Sequence, residues 1–246
     1  SRGLGDVYKR QIRSLLFNLI FYSTLVLTSI CILFLYPLFS TKQLQIVTSK
    51  WIYFILQSLK KICGVRWRIK GIENIPSTPC ILVSNHQGPW ESLFLQTLFI
   101  PCSSIIKREL LLIPFFGWAL LCLKPISLPR SNKIKSIKKV LSEGKKRLSS
   151  GFSIIIFPEG TRARPEKGIK SFSSSCSVLS LRNNVPLIPI CHNSGKYWKN
   201  RKFSKVPGII DIVIGKPIES NDIKKMTAIT EAVSYTHLRA HETSRN

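Results

Sequence analysis

Residues 14–40 carry no charged side chain: SLLFNLIFYSTLVLTSICILFLYPLFS. No other feature restricts the fold as much, because about 20 apolar residues are enough to cross the hydrocarbon of a bilayer. Core helices of soluble proteins rarely run this far without a charge. No small-residue cleavage site follows, so a membrane anchor is expected here rather than a cleaved secretory signal. Lys42, Lys50, Lys60 and Lys61 come after the stretch, while only Arg13 stands directly before it. This bias places the bulk of the chain on the cytoplasmic side of the membrane. Residues 43–62 mix Trp51, Tyr53, Phe54, Ile55 and Leu56 with lysines, and suit either a second membrane helix or one lying at the interface.

The two ends read differently from the rest. Residues 1–11, SRGLGDVYKRQ, and the stretch starting VSYTHLRAHET at Val233 resemble translated sequencing-library adapter. The codons GAT GTG TAT AAG AGA CAG spell Asp6 to Gln11, and the reverse complement of the same adapter gives Val-Ser-Tyr-Thr-His. The expected organisation is therefore residues 1–11 and 233–246 as non-native tails, 12–62 as membrane-anchoring helices and 63–232 as the main domain. The tails hold Arg2, Lys9, Arg10, Arg239 and Arg245 against Asp6 and Glu242, so the remainder keeps most of the formal charge of +25. Such a balance calls for an anionic partner: nucleic acid, an anionic membrane face or a phosphorylated substrate. The aromatic residues sit within apolar runs and not interleaved along a basic stripe, which argues against nucleic acid. The seven cysteines are scattered without a CxxC pair, so neither a zinc site nor a disulfide framework is indicated, and a reducing compartment fits.

From Gly64 onward the pattern is that of an α/β domain. Residues 66–70 alternate like an edge strand. Short apolar runs at 80–83, 153–157, 185–190 and 209–214 have the length and β-branched content of buried strands. A helix is predicted at 90–100, opened by Gly88-Pro89, and a basic amphipathic helix at 133–149. Alternating strands and helices point to a central sheet flanked by helices.

Two clusters carry chemistry. Asn85-His86-Gln87-Gly88-Pro89-Trp90-Glu91 follows an apolar strand. A histidine acting as a base requires a carboxylate to fix its tautomer and stabilise the imidazolium. Glu91 stands five positions on, too far around a straight helix for contact with His86, unless Gly88-Pro89 breaks the regularity. The second cluster is Phe157-Pro158-Glu159-Gly160-Thr161-Arg162. The planar fork of Arg162 suits a phosphate, with Glu159 placed to orient it.

Together these motifs resemble the 1-acyl-glycerol-3-phosphate acyltransferase family. Two further blocks match in order. Lys107-Arg108-Glu109-Leu110 with Pro114-Phe115-Phe116-Gly117-Trp118, leading to Lys124-Pro125-Ile126 and Arg130, is similar to the second block. Val185-Pro186-Leu187-Ile188-Pro189-Ile190, followed by His192-Asn193-Ser194-Gly195, is similar to the fourth. The resemblance covers residues 62–218. It implies a glycerolipid-acyltransferase-like α/β domain behind a hydrophobic N-terminal segment, at the inner membrane with the catalytic domain on the cytoplasmic side. It implies transfer of an acyl group from acyl-CoA or acyl carrier protein to lysophosphatidic acid among membrane lipids, with no metal and no prosthetic cofactor. By position, His86 is the general base and Glu91 supports it. Lys107 helps to stabilise the oxyanion. Arg130, Glu159, Gly160, Thr161 and Arg162 form or order the acceptor-phosphate site, and His192 is structural. The sequence departs from the family pattern at Pro129, where Asp is usual, and at residues 170–173, which lack the glycines common there; both departures fall on the acceptor side. A related enzyme with another lyso-lipid acceptor shares this pattern, whereas intact His86, Glu91 and Arg162 argue against a non-catalytic membrane-binding protein.

Overall fold

The computed structural model describes residues 2–129, 133–163 and 170–243. The first helix, α1 (Arg2–Leu35), contains the uncharged stretch and ends just before Pro37, which cannot donate to a helical ladder. It is long and apolar enough to cross a membrane by length and composition, its most apolar 18-residue window having a mean hydropathy of 2.1. It runs through the Gln11–Ile12 junction without a break.

Ser40 opens α2 (Thr41–Cys63) through a capping box with Gln43, and Gly64 closes it in the left-handed region. α2 is the inner helix of the pair. Leu44, Ile52, Ile55, Leu56 and Leu59 are buried, while Tyr53 and Phe54 on the other face are exposed. Its buried Gln45 donates to the Cys102 carbonyl at 2.7 Å and accepts from the Cys102 amide at 2.8 Å, tying α2 to the start of a strand.

The sheet has seven strands: β1 (Val65–Lys70), β2 (Ile81–Ser84), β3 (Cys102–Lys107), β4 (Ile126–Leu128), β5 (Ser153–Ile156), β6 (Leu187–His192) and β7 (Gly208–Ile214). Their spatial order is β1-β7-β6-β2-β5-β3-β4. The five strands from β6 to β4 are mutually parallel; β7 runs antiparallel to β6, and β1 pairs parallel with β7. β3 and β4 were not foreseen: β3 opens on Cys-Ser-Ser and β4 has three residues, so neither stands out as an apolar β-branched run.

Strand alternation divides the core into two layers. Leu82, Ile155, Ile188 and Ile210 pack under α2 and the first half of α1. Ile81, Val83, Ile154 and Ile156 face the opposite way, toward α5 (Lys133–Ser149), α6 (Ser175–Asn183) and α7 (Ile223–Thr243). Both faces of the central strands are therefore covered, which is why they read as continuous apolar runs. The helix predicted at 90–100 is cut short: α3 (Trp90–Phe94) gives way to a 3₁₀ turn at Leu95–Thr97. A last short helix, α4 (Phe116–Cys122), packs against α1 through Ile32, Ala119 and Cys122.

Candidate active site

In a parallel sheet, the loops leaving the carboxyl ends of adjacent strands converge along one edge. β2 lies between β5 and β6. The loop after β2, which carries His86, is thus flanked by the Phe157–Arg162 loop after β5 and by Asn193 and Ser194 after β6.

His86 lies outside the helix, because α3 begins only at Trp90. The chain between them folds back, and His86 Nδ1 meets Glu91 Oε1 at 2.9 Å. The same oxygen accepts the backbone N–H groups of Gln87 at 2.7 Å and Gly88 at 2.6 Å. The Ser194 hydroxyl donates to Oε2 at 2.7 Å. Glu91 is fully buried, so every lone pair it offers needs such a donor. Burial by itself would raise its carboxyl. The neighbouring His192 and His86 imidazoles and the Gly88 amide outweigh that and hold it down at about 2. An ionised Glu91 makes Nδ1 the donor and leaves Nε2 as the basic nitrogen. The His86 side chain is 16% exposed, and its ring stacks on Phe157 with centroids 4.1 Å apart.

Glu159 performs a different task from the orientation of Arg162 expected of it. Its Oε1 accepts the His86 backbone N–H at 2.8 Å, and its Oε2 accepts the Lys170 N–H at 3.2 Å. In return the Ala163 amide donates to the His86 carbonyl at 2.7 Å. The two loops are laced together across adjacent strands, with His86 at the joint. Burial raises the Glu159 carboxyl, while the two amides pull it the other way. Gly160, at φ +67°, turns the chain, and Arg162 beyond it donates from its guanidinium to Asn200 Oδ1 at 2.8 Å. Thr161 Oγ1 accepts from Lys170 Nζ at 2.9 Å. Gly160, Thr161 and Arg162 are exposed, beside the His86 loop. Lys107 ends β3 at the same edge, two strands from β2 in the sheet order, and is exposed. Arg130 lies outside the described residues.

His192 is buried and neutral. Its Nε2 donates to the Asn85 carbonyl at 2.9 Å, and its Nδ1 accepts the Ser194 amide at 3.3 Å. Burial lowers its affinity for a proton. Asn85 completes the clamp with two bonds to the His192 backbone. Sequence reasoning assigned no role to Ser194, Asn200 or Trp198. Trp198 packs edge-on against Phe17 of α1 at 5.2 Å, and its carbonyl lies where a Cβ on Gly88 would come within 2.4 Å. Their signal is spatial only, since all three follow β6, more than a hundred residues from His86.

A constellation of this kind, a carboxylate-held imidazole beside an arginine loop, suits removal of a proton from a hydroxyl close to an anionic group. Comparison with known proteins identifies the family. Residues 66–193 match the family model described as Acyltransferase. A Pseudomonas aeruginosa protein named 1-acyl-sn-glycerol-3-phosphate acyltransferase is 38% identical over 207 residues, covering 84% of this chain and 80% of that protein. The human 1-acyl-sn-glycerol-3-phosphate acyltransferase alpha is 25% identical over 82% of this chain and 73% of its own length. The crystal structure of a 1-acyl-sn-glycerophosphate acyltransferase from Thermotoga maritima shares the fold, with a TM-score of 0.79 over 96% of this chain and 97% of that one, at 21% identity.

Proposed function

Because this chain belongs to the 1-acyl-sn-glycerol-3-phosphate acyltransferase family, we propose that it transfers a fatty acyl group from a thioester to the sn-2 hydroxyl of 1-acylglycerol-3-phosphate, giving phosphatidic acid for phospholipid synthesis. Nε2 of His86 takes the proton of the acceptor hydroxyl as its oxygen attacks the thioester carbonyl. The tetrahedral oxyanion then collapses, the carbon–sulfur bond breaks, and the imidazolium returns the proton to the departing thiolate. Glu91 stabilises that imidazolium. Lys107 assists the oxyanion. Arg162, with Arg130, Gly160 and Thr161, receives the acceptor phosphate, while Glu159 keeps the arginine loop in register with His86. The donor is acyl-CoA or acyl carrier protein. α1 anchors the chain, with the catalytic domain on the cytoplasmic side of the inner membrane, where the lysines after α1 would lie.

The observation that supports this reading most directly is the 2.9 Å contact between His86 Nδ1 and the fully buried Glu91 carboxylate. The test is an assay of membranes containing the protein against a panel of lyso-lipids, with acyl-CoA and acyl carrier protein as donors, read by lipid mass spectrometry. Phosphatidate as the principal product is expected. Equal or faster acylation of an acceptor without a phosphomonoester would overturn the choice of substrate.

A further inference from the structure

Between Glu109 and Lys124 the chain carries no charge. It forms a tight hairpin, a 3₁₀ turn at Arg108–Leu112 running into α4. One side of α4 is spoken for: Gly117, Ala119 and Cys122 are buried, and Ala119 and Cys122 pack with Ile32 of α1 and Leu44 of α2. The other side is not. Leu112 is 78% exposed and Trp118 is 49% exposed, and Ile113, Phe115 and Leu121 are exposed beside them. The hairpin cannot fold these side chains away. A Cβ on Gly117 would stand 2.5 Å from the Leu111 carbonyl, so turn and helix already touch backbone to backbone. Phe115 is held at φ +58°, a strained value for a bulky residue, with its ring tilted against Trp118 at 5.5 Å. An apolar patch of this kind on a catalytic domain marks an interaction surface.

Its occupant follows from what adjoins it. The part of α1 that α4 packs against also turns Phe34, at 77% exposure, outward, and Leu38 just beyond α1 is 80% exposed. The apolar surface is therefore continuous from the anchor helix onto the catalytic domain. It is flanked by Lys107 and Arg108 at one end of the hairpin and Lys124 at the other, all exposed, as cations are at the headgroup level of an anionic leaflet. We propose that the uncharged part of the hairpin, residues 110–122, inserts into the same bilayer as α1, giving the catalytic domain a membrane contact of its own. This inference rests on the membrane anchoring by α1 proposed above. Because the hairpin leaves β3 at the sheet edge that carries His86, its insertion fixes that edge at the lipid surface from which a lyso-lipid acceptor enters.

Trp118 serves as the reporter. The full-length protein and its Trp118→Phe variant are reconstituted in vesicles of phosphatidylethanolamine and phosphatidylglycerol, with and without mid-chain bromination, and the difference in emission isolates Trp118. Phe34→Trp, made on the Trp118→Phe background, reports α1 in the same way. Both substitutions are at exposed positions and leave the core intact. Blue-shifted emission that bromine quenches at both positions is expected. Quenching at position 34 alone overturns insertion of the hairpin while leaving the α1 anchor standing. Quenching at neither position overturns both. A Trp118 signal that is blue-shifted yet unquenched places the hairpin against protein, such as a second copy of this chain, and also overturns the proposal.

Discussion

Replacing Glu91 by Gln removes a charge from the site while leaving its geometry almost intact. The glutamine carbonyl can occupy the position of Oε1 and keep all three donors: His86 Nδ1 and the amides of Gln87 and Gly88. Its NH₂ group then faces Ser194, whose hydroxyl rotates to accept instead of donating. The Nδ1–H tautomer of His86 therefore survives, and what is lost is support for the imidazolium. A hydrogen bond to a charged group contributes about 1.5–3 kcal/mol and a neutral one about 1 kcal/mol. The difference of about 0.5–2 kcal/mol corresponds to a fall of roughly 2–30-fold in kcat. Both KM values should hold, because Glu91 is wholly buried and touches no substrate. Steady-state acylation of lysophosphatidate, with product quantified by mass spectrometry and folding checked by thermal melting, measures this. A rate equal to wild type would show that the carboxylate charge is idle. A loss as deep as that of His86→Ala, with KM changed, would show that the carboxylate does more than steady the imidazolium.

His86→Ala itself should lower turnover by about 10²–10⁴-fold while the protein stays membrane-bound, and near wild-type turnover would refute general-base catalysis. Arg162→Ala should raise the KM for lysophosphatidate and leave that for the acyl thioester nearly unchanged, with Arg162→Lys rescuing only part of the loss; equal rises in both would move Arg162 away from the phosphate. Acidification should lower the melting temperature in two stages. Burial depresses the proton affinity of His192, so the stability of its neutral form begins to fall once the pH drops below the unfolded value of about 6.5. Glu91 is depressed to about 2, so its contribution is complete above the unfolded value of about 4.3 and is lost only as the pH falls from there through 2. A flat profile between pH 7 and 5 would contradict the first stage. Gly88→Ala should destabilise by about 1–3 kcal/mol in chemical denaturation, because its Cβ meets the Trp198 carbonyl at 2.4 Å; an unchanged midpoint would mean that the β6 loop yields freely.

Much of this protein is written locally. An uncharged stretch long enough to span a bilayer announces α1 without any knowledge of its neighbours, and runs such as Ile154-Ile155-Ile156 announce strands buried on both faces. His86, Glu91 and Arg162 were also legible as candidate residues, because the ordered set of motifs they belong to resembles the acyltransferase family. Their partnerships were not. On a straight helix His86 and Glu91 could not touch; they meet because α3 starts at Trp90 and the preceding turn folds back against the Trp198 carbonyl. Glu159, which its sequence position assigned to Arg162, instead holds the His86 backbone amide, because β5 pairs with β2 and brings the loops side by side. α2 could be read as a second membrane helix or an interfacial one, and only packing on the sheet shows that its apolar face forms part of the protein core. The distinction is physical. Burial length and residue chemistry are properties of neighbours along the chain, whereas the partner of a buried polar group is set by which strands lie side by side, and that order is decided only when the whole sheet assembles.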